Sequence, residues 1–195
     1  MGGRALPYIT FIRHGKSIVD GRKKVKGACM HKWIDDYNRS GIHVPGGKAD
    51  ALREILKEDP VVLASNLKRA EETAVHLFGP ERMKRDAIFR EADLPDPPRL
   101  FSSVRLPASG WCAVMRMLWI CGYSRHAEPA GKTRERARAA AERLIELSVG
   151  HVHTVLVGHG FFNRMIAAVL QENGWMAESR HSNKNWGITT YTKAR

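Results

Sequence analysis

Two short segments of the sequence share a chemistry-bearing pattern: Ile12-Arg13-His14-Gly15 and Val157-Gly158-His159-Gly160. Each puts a histidine just past an apolar run that reads as a strand, with a glycine after it. Imidazole is the side chain that attacks, carries protons and donates hydrogen bonds near neutral pH. Glycine lets a backbone turn tightly and come close to a ligand. One such triplet is more simply a loop histidine beside a turn glycine. Two, each after an apolar strand, point to one crevice, because ligands of open α/β sheets bind beyond the carboxyl ends of the strands. A third apolar run, 61–64, leads into Ser65-Asn66-Leu67-Lys68-Arg69-Ala70-Glu71-Glu72-Thr73-Ala74. Arg69 falls in the first turn of the helix expected there, and Arg13 flanks His14. Guanidinium forks and free N–H groups at a helix start both favour phosphate. Alone, Arg69 would be a solvated helix arginine paired with Glu72 or Thr73.

Bringing these groups together requires a layered chain, and the hydropathy pattern supplies one. Strand-like runs at 7–12, 61–64, 87–89 (weaker), 154–157 and 186–191 alternate with helical patterns at 46–58, 67–78, 110–121, 133–148 and 160–172. Gly79-Pro80 stops the second of these helices. We expect an α/β fold, a three-layer α/β/α sandwich with a mainly parallel central sheet. At 195 residues the chain, 1–195, is expected to form a single domain.

Lys and Arg outnumber Asp and Glu by 32 to 20, a formal charge of +12. That balance draws anions (nucleic acid, membrane phosphate or phosphorylated substrates) without choosing among them. It also describes a merely solvated basic surface. With 43% hydrophobic and 27% charged residues, the composition excludes a disordered, collagenous or membrane-spanning chain. The longest apolar stretch, 111–123, is broken by Arg116 and falls short of the ~20 residues of a spanning helix. The opening MGGRALPYITFI runs into a strand, so no signal peptide is expected. Myristoylation is not expected either, since Leu6 stands where Ser or Thr is required. Cys29, Cys112 and Cys121 form no CxxC pair and read as reduced, cytoplasmic thiols.

Other features carry plainer readings. His151 and His153 share a strand face but have no third ligand nearby, so no metal site is expected. Trp111 and Trp119, with the methionines between them, read as helix core. Arg134-Glu135-Arg136-Ala137-Arg138 with Glu142 and Arg143 reads as a salt-bridged helix face. P-loop, GxGxxG and GxSxG patterns are absent.

In chain order, the motifs resemble those of the histidine phosphatase superfamily, which includes the phosphoglycerate mutases. Arg13-His14-Gly15 is similar to the family's nucleophile motif. The stretch 65–74 is similar to its S-x-L-x-R-A-x-x-T-A block, and 157–160 to its second histidine motif. The likeness runs from Tyr8 to about Tyr191. It implies His14 as nucleophile, His159 as a second catalytic histidine, and Arg13, Ser17, Arg69 and Gly160 as phosphate-binding positions. It implies no cofactor and no metal. Glu91 follows a strand-like run as the family's proton donor does, although Asp86, Asp93 and Asp96 lie close in sequence.

The chemistry of these residue types agrees. A histidine nitrogen that attacks phosphorus divides one hard displacement into two easier ones. The transferring phosphoryl spreads charge over its oxygens and needs cations, expected from Arg13, Arg69 and a protonated His159. His14 must be neutral to attack, and neighbouring cations lower a histidine pKa. The leaving oxygen needs a proton from a carboxylic acid of raised pKa, the role expected of Glu91.

Departures from the family bear on substrate. Asp20 stands where many relatives carry a phosphate-touching asparagine, so it is expected to point away, or the loop to differ. The Gly-Trp segment of the mutases is not reproduced by 25–29, which favours a metal-independent phosphomonoester hydrolase over a mutase. A modest insertion near 99–130 implies a small helical cap. The basic run Arg22-Lys23-Lys24-Val25-Lys26 is expected to be an exposed, mobile loop bordering the site. Expected substrates are phosphorylated small molecules or phosphoproteins. The alternatives are mutase-type transfer or a phosphatase of phosphohistidine on proteins, and, outside enzymes, a basic protein that binds nucleic acid or acidic partners on the same fold.

Overall fold

In the computed structural model, residues 6–56 and 59–193 are described. The opening five residues, and positions 57 and 58 of the helix expected over 46–58, therefore lie outside the described residues. The strands are β1 (Tyr8–Arg13), β2 (Lys16–Ser17), β3 (Lys24–Lys26), β4 (Ile42–His43), β5 (Val61–Ser65), β6 (Met83–Asp86), β7 (Arg105–Pro107), β8 (His153–Gly158), β9 (Trp175–Ala177) and β10 (Ile188–Lys193). The helices are α1 (Met30–Arg39), α2 (Lys48–Ile55), α3 (Lys68–Phe78), α4 (Ala108–Ile120), α5 (Ala130–Gly150) and α6 (Gly160–Glu172). Six strands form the central sheet in the order β6-β5-β8-β1-β10-β9. The pairs β6–β5, β5–β8 and β8–β1 are parallel; β1–β10 and β10–β9 are antiparallel.

Alternation along the strands gives the sheet two apolar faces. On one, Ile9, Phe11, Leu63 and Leu156 pack with Ala137, Leu144, Ile166 and Leu170 of α5 and α6. On the other, Ile12, Val62, Ala64, Val155 and Val157 pack with Leu52 of α2 and with Ala70, Ala74 and Leu77 of α3. Burying each large side chain contributes about 1.5–3 kcal/mol, so both helix layers are fixed to the sheet by many small gains. This is the expected three-layer, mainly parallel α/β arrangement. Among the described residues no helix is long and apolar enough to cross a membrane.

A third cluster lies apart from the sheet: Met30, Ala108, Trp111 and Met115, with Val25, Trp33, Ile34, Leu94 and Leu106 against it. It joins α1, α4 and a two-stranded ribbon of β3 and β7. Trp111 and Trp119 are buried core residues, as expected.

Several local expectations are corrected. The apolar triplet 87–89 is a 3-10 turn, because the Asp86 carboxylate accepts the Ile88 N–H at 2.9 Å and curls the chain. The strand is the polar segment before it, β6, whose polarity suits the edge of a sheet. The closing strand starts at Ile188, because Trp186 has a left-handed backbone with φ 60°. Helix α1 has no counterpart among the expected elements, although Met30, Trp33, Ile34 and Tyr37 have helical spacing. The basic run is not wholly a loop, since Lys24–Lys26 pairs with Arg105–Pro107. Arg136 leaves its own helix face to pair with Glu128 at 2.8 Å. His153 sits buried in β8, stacked on Tyr8 with ring centroids 4.1 Å apart.

Candidate active site

The strand register explains why two distant motifs meet. Because β1 and β8 are parallel neighbours with Arg13 opposite Gly158, the next residue of each, His14 and His159, leaves the sheet at the same level. Their ring centroids are 5.1 Å apart. On the far side of β8, Ala64 is opposite Val157, so Ser65 and the start of α3 reach the same edge. The glycines make the approach possible. A Cβ on Gly15 would lie 2.8 Å from the Trp186 ring and 2.9 Å from Ile42.

His14 is 3% exposed. Its Nδ1 lies 2.7 Å from the Gly15 carbonyl. A carbonyl only accepts, so the hydrogen is on Nδ1 and the lone pair of the neutral ring is on Nε2. Arg69 Nε donates to that Nε2 at 3.3 Å. Burial, followed by the positive field of Arg69, holds the His14 pKa well below the ordinary histidine value. The neighbouring backbone is fixed as well: Gly15 N–H donates to Thr73 Oγ1 at 2.8 Å, and Asn185 Nδ2 donates to the His14 carbonyl at 2.9 Å.

His159 is fully buried, with Nε2 2.8 Å from Ser65 Oγ and Nδ1 without a partner among the described residues. Burial first, then Arg69, His14 and Arg13, hold its pKa well below the ordinary value. Burial and the neighbouring cations thus work against the protonated His159 that the residue types suggested.

Arg69 and Arg13 both bring permanent positive charge to the two histidines. Arg69 is 2% exposed, and the groups it touches are His14, Asn38 at 3.0 Å, and the Tyr37 ring 4.4 Å beneath the guanidinium, while the Glu91 carboxylate acts on it only through space. Arg13 donates Nη1 to the Asn183 carbonyl, and its Nε is buried without a partner. A Cβ on Gly160 would lie 3.1 Å from that Nε, so glycine there makes room for the guanidinium. Among the described residues neither arginine is in an ion pair. A buried charge without a counter-ion costs several kcal/mol, and a bound anion would offset that cost.

The remaining expected residues surround one cavity of about 1020 Å³, lined by Arg13, His14, Ser17, Arg69, Glu91 and Gly160 among others. The Glu91 carboxylate accepts the Phe162 N–H at 2.8 Å and the Phe161 N–H at 3.3 Å at the start of α6. Of the other acids, Asp93 also lines the cavity. Asp86 is spent on its turn, and Asp96 binds His31 and His126. Ser17 Oγ bonds Ser40 Oγ at 2.8 Å and accepts the Val19 N–H. Asp20 lines the cavity too, but its carboxylate is taken by the backbone N–H and Nε of Arg22. Of the basic run, only Arg22 reaches the cavity wall.

Asn38, Tyr37, Ser65, Thr73 and Asn185 join the site without being among its expected residues. Ser65 and Thr73 lie inside the 65–74 motif, where their hydroxyl chemistry is legible. Asn38, Tyr37 and Asn185 carry no local signal, because they reach the site by packing alone.

Comparison with solved structures gives the same fold at low identity. A mycobacterial glucosyl-3-phosphoglycerate phosphatase aligns with TM-score 0.61 and 19% identity, over 94% of this chain and 92% of that one. A phosphoserine phosphatase from Entamoeba histolytica aligns with TM-score 0.60 and 16% identity, over 95% and 90%. No curated protein matches the sequence. The family model of the histidine phosphatase superfamily (branch 1) matches residues 9–194. Matched over nearly its whole length, the chain belongs to the histidine phosphatase superfamily, branch 1, and its enzyme class is phosphatase.

Proposed function

We propose that this protein is a metal-independent phosphomonoester hydrolase working through a phosphohistidine on His14. One observation carries the reading: a buried imidazole with its Nδ1 on the Gly15 carbonyl has its Nε2 beside Arg69, a buried cation in no ion pair among the described residues. The substrate phosphoryl occupies the space between Arg13 and Arg69 and supplies the missing negative charge. His14 Nε2 attacks phosphorus while the bond to the leaving oxygen breaks, and Glu91 delivers a proton to that oxygen. Glu91 then takes a proton from water, which attacks the phosphohistidine, frees His14 and releases phosphate. Arg13 and Arg69 stabilise the charge that spreads over the equatorial oxygens. His159 takes part as a neutral hydrogen-bond donor through Nδ1, with Ser17 and the glycine-start of α6 at Gly160 as further phosphate contacts.

A cavity of about 1020 Å³ suits a phosphorylated small molecule. The three unpaired thiols agree with a cytoplasmic setting. The test is direct. Brief incubation with labelled p-nitrophenyl phosphate and an alkaline quench should leave label on His14, in the presence or absence of EDTA. Label absent in single turnover, or retained in His14→Ala, overturns the covalent mechanism; loss with EDTA that a divalent metal restores overturns metal independence.

A further inference from the structure

Glu91 lies in a stretch with no helix or strand of its own, between the turn that ends at Phe89 and the one that starts at Arg99. Such a segment keeps its place only through tertiary bonds, and two arginines supply them. From α5, Arg136 Nη1 donates to the carbonyls of Ile88 and Arg90, each at 2.9 Å, while Glu128 holds its Nε and Nη2. From α4, Arg116 donates to the carbonyls of Ala92 at 2.7 Å and Asp93 at 3.0 Å. Four carbonyls flanking Glu91 are thus bound by two guanidinium forks.

The same forks hold the other end of the carboxylate's hydrogen bonds. Arg136 lies 4.0 Å over the Phe162 ring, and Arg116 lies 4.3 Å over Phe161 and 4.9 Å over Trp119. Phe161 and Phe162 are the residues whose N–H groups bind the Glu91 carboxylate. Cation–π contact adds about 0.5–2 kcal/mol each when desolvated, and planar guanidinium alone can stack and donate along two directions at once.

We propose that Arg116 and Arg136 are positioning residues for proton transfer by Glu91, which rests on Glu91 being the acid. The α4 helix then serves two ends. Ser109, Cys112 and Ala113 line the cavity, and Arg116, one turn on, lines it too while its guanidinium holds the Ala92 and Asp93 carbonyls beside the acid. Misplacing the carboxylate by even ~1 Å would cost the proton transfer and spare the nucleophile.

The experiment exploits leaving groups. Nitrophenolate departs without a proton, whereas the alkoxide of glycerol phosphate needs one. Arg116→Met should lower kcat/KM, which reads the steps up to the phosphohistidine and leaves out the water step that Glu91 also serves, by ~10-fold or more for glycerol phosphate and by less than ~2-fold for p-nitrophenyl phosphate. Arg136→Lys and Arg116→Lys should show the same split, because an ammonium keeps the charge and loses the fork. They also stand in if Arg116→Met fails to fold, as judged by circular dichroism. Glu91→Gln is the control and should show a larger split. If Glu91→Gln splits and the folded arginine variants slow both substrates equally, or if lysine restores full activity, the positioning role is overturned alone. If Glu91→Gln itself shows no split, the acid assignment fails and the positioning role falls with it.

Discussion

His14 and Glu91 face one cavity but are held there by different means. His14 extends from a central strand: its backbone N–H bonds the Gly158 carbonyl of the neighbouring strand at 3.0 Å, and its ring bonds the next residue. Glu91 hangs from an irregular segment fastened by side chains of α4, α5 and the start of α6. The proposed nucleophile is therefore held by core strands, the class of element that opens last, whereas the proposed acid depends on a few removable contacts. Burial differs in the same sense. The two histidines and Arg69 are withdrawn from water, so their mutual fields are strong; Glu91, Arg116 and Arg136 are only partly buried.

The largest effect that would test this contrast comes from the nucleophile's side. Arg69→Ala should lower kcat/KM by ~100-fold or more for every leaving group alike, since it removes charge complementarity to the phosphoryl itself. Steady-state kinetics on two substrates checks this. A loss confined to poor leaving groups would place Arg69 with the acid.

Acid stability offers a second measurement. His14 and His159 both have folded pKa values below the ordinary value near 6.5. Between the folded values and ~6.5 the unfolded chain binds protons that the native protein does not, so stability rises with pH across that window and levels off above it. Each histidine contributes up to about 1.4 kcal/mol per pH unit there. Urea midpoints should therefore fall between pH 7.5 and 5, and the fall should be shallower in His159→Gln. A flat profile would mean the rings are not buried as neutral groups.

The smallest effect belongs to the basic run. Only Arg22 meets the cavity, and Asp20 already pairs with it at 3.2 Å. Neutralising Arg22, Lys23, Lys24 and Lys26 should change kcat/KM by less than ~3-fold at physiological salt, where screening acts over ~8 Å. The change should be larger at low ionic strength and for polyanionic substrates. A large loss of kcat would show that the run touches the reacting phosphoryl.

Much of this arrangement was legible in the residues. The strands ending at Arg13, Ser65 and Gly158 are short apolar runs bounded by polar or glycine residues, and that pattern survives in the sheet. Helices α3 and α6 begin within a residue of where their periodicity starts. The failures have physical causes. An aspartate side chain took the Ile88 N–H and turned an apolar triplet away from the sheet. Helix α1 and the β3–β7 ribbon earn their stability from a small cluster contributed by distant segments, with Trp111 Nε1 bonded to the Val25 carbonyl at 3.1 Å. Local pattern carries little of that.

By itself, the sequence determined which residues could do chemistry: two histidines and two arginines just past the ends of apolar strands, a placement that chain connectivity and hydrophobic alternation enforce. The tertiary structure decided their states. Parallel pairing of β1 with β8 set the histidines side by side, and burial with Arg69 lowers the His159 pKa where chemistry by residue type had suggested a cation. Arg116 of α4 and Arg136 of α5 hold the segment that carries Glu91 to the cavity, while Asp86 is spent on its own turn and Asp96 on His31 and His126. Protonation and position depend on what lies within a few ångströms in space, and a linear sequence specifies that only once the chain has folded.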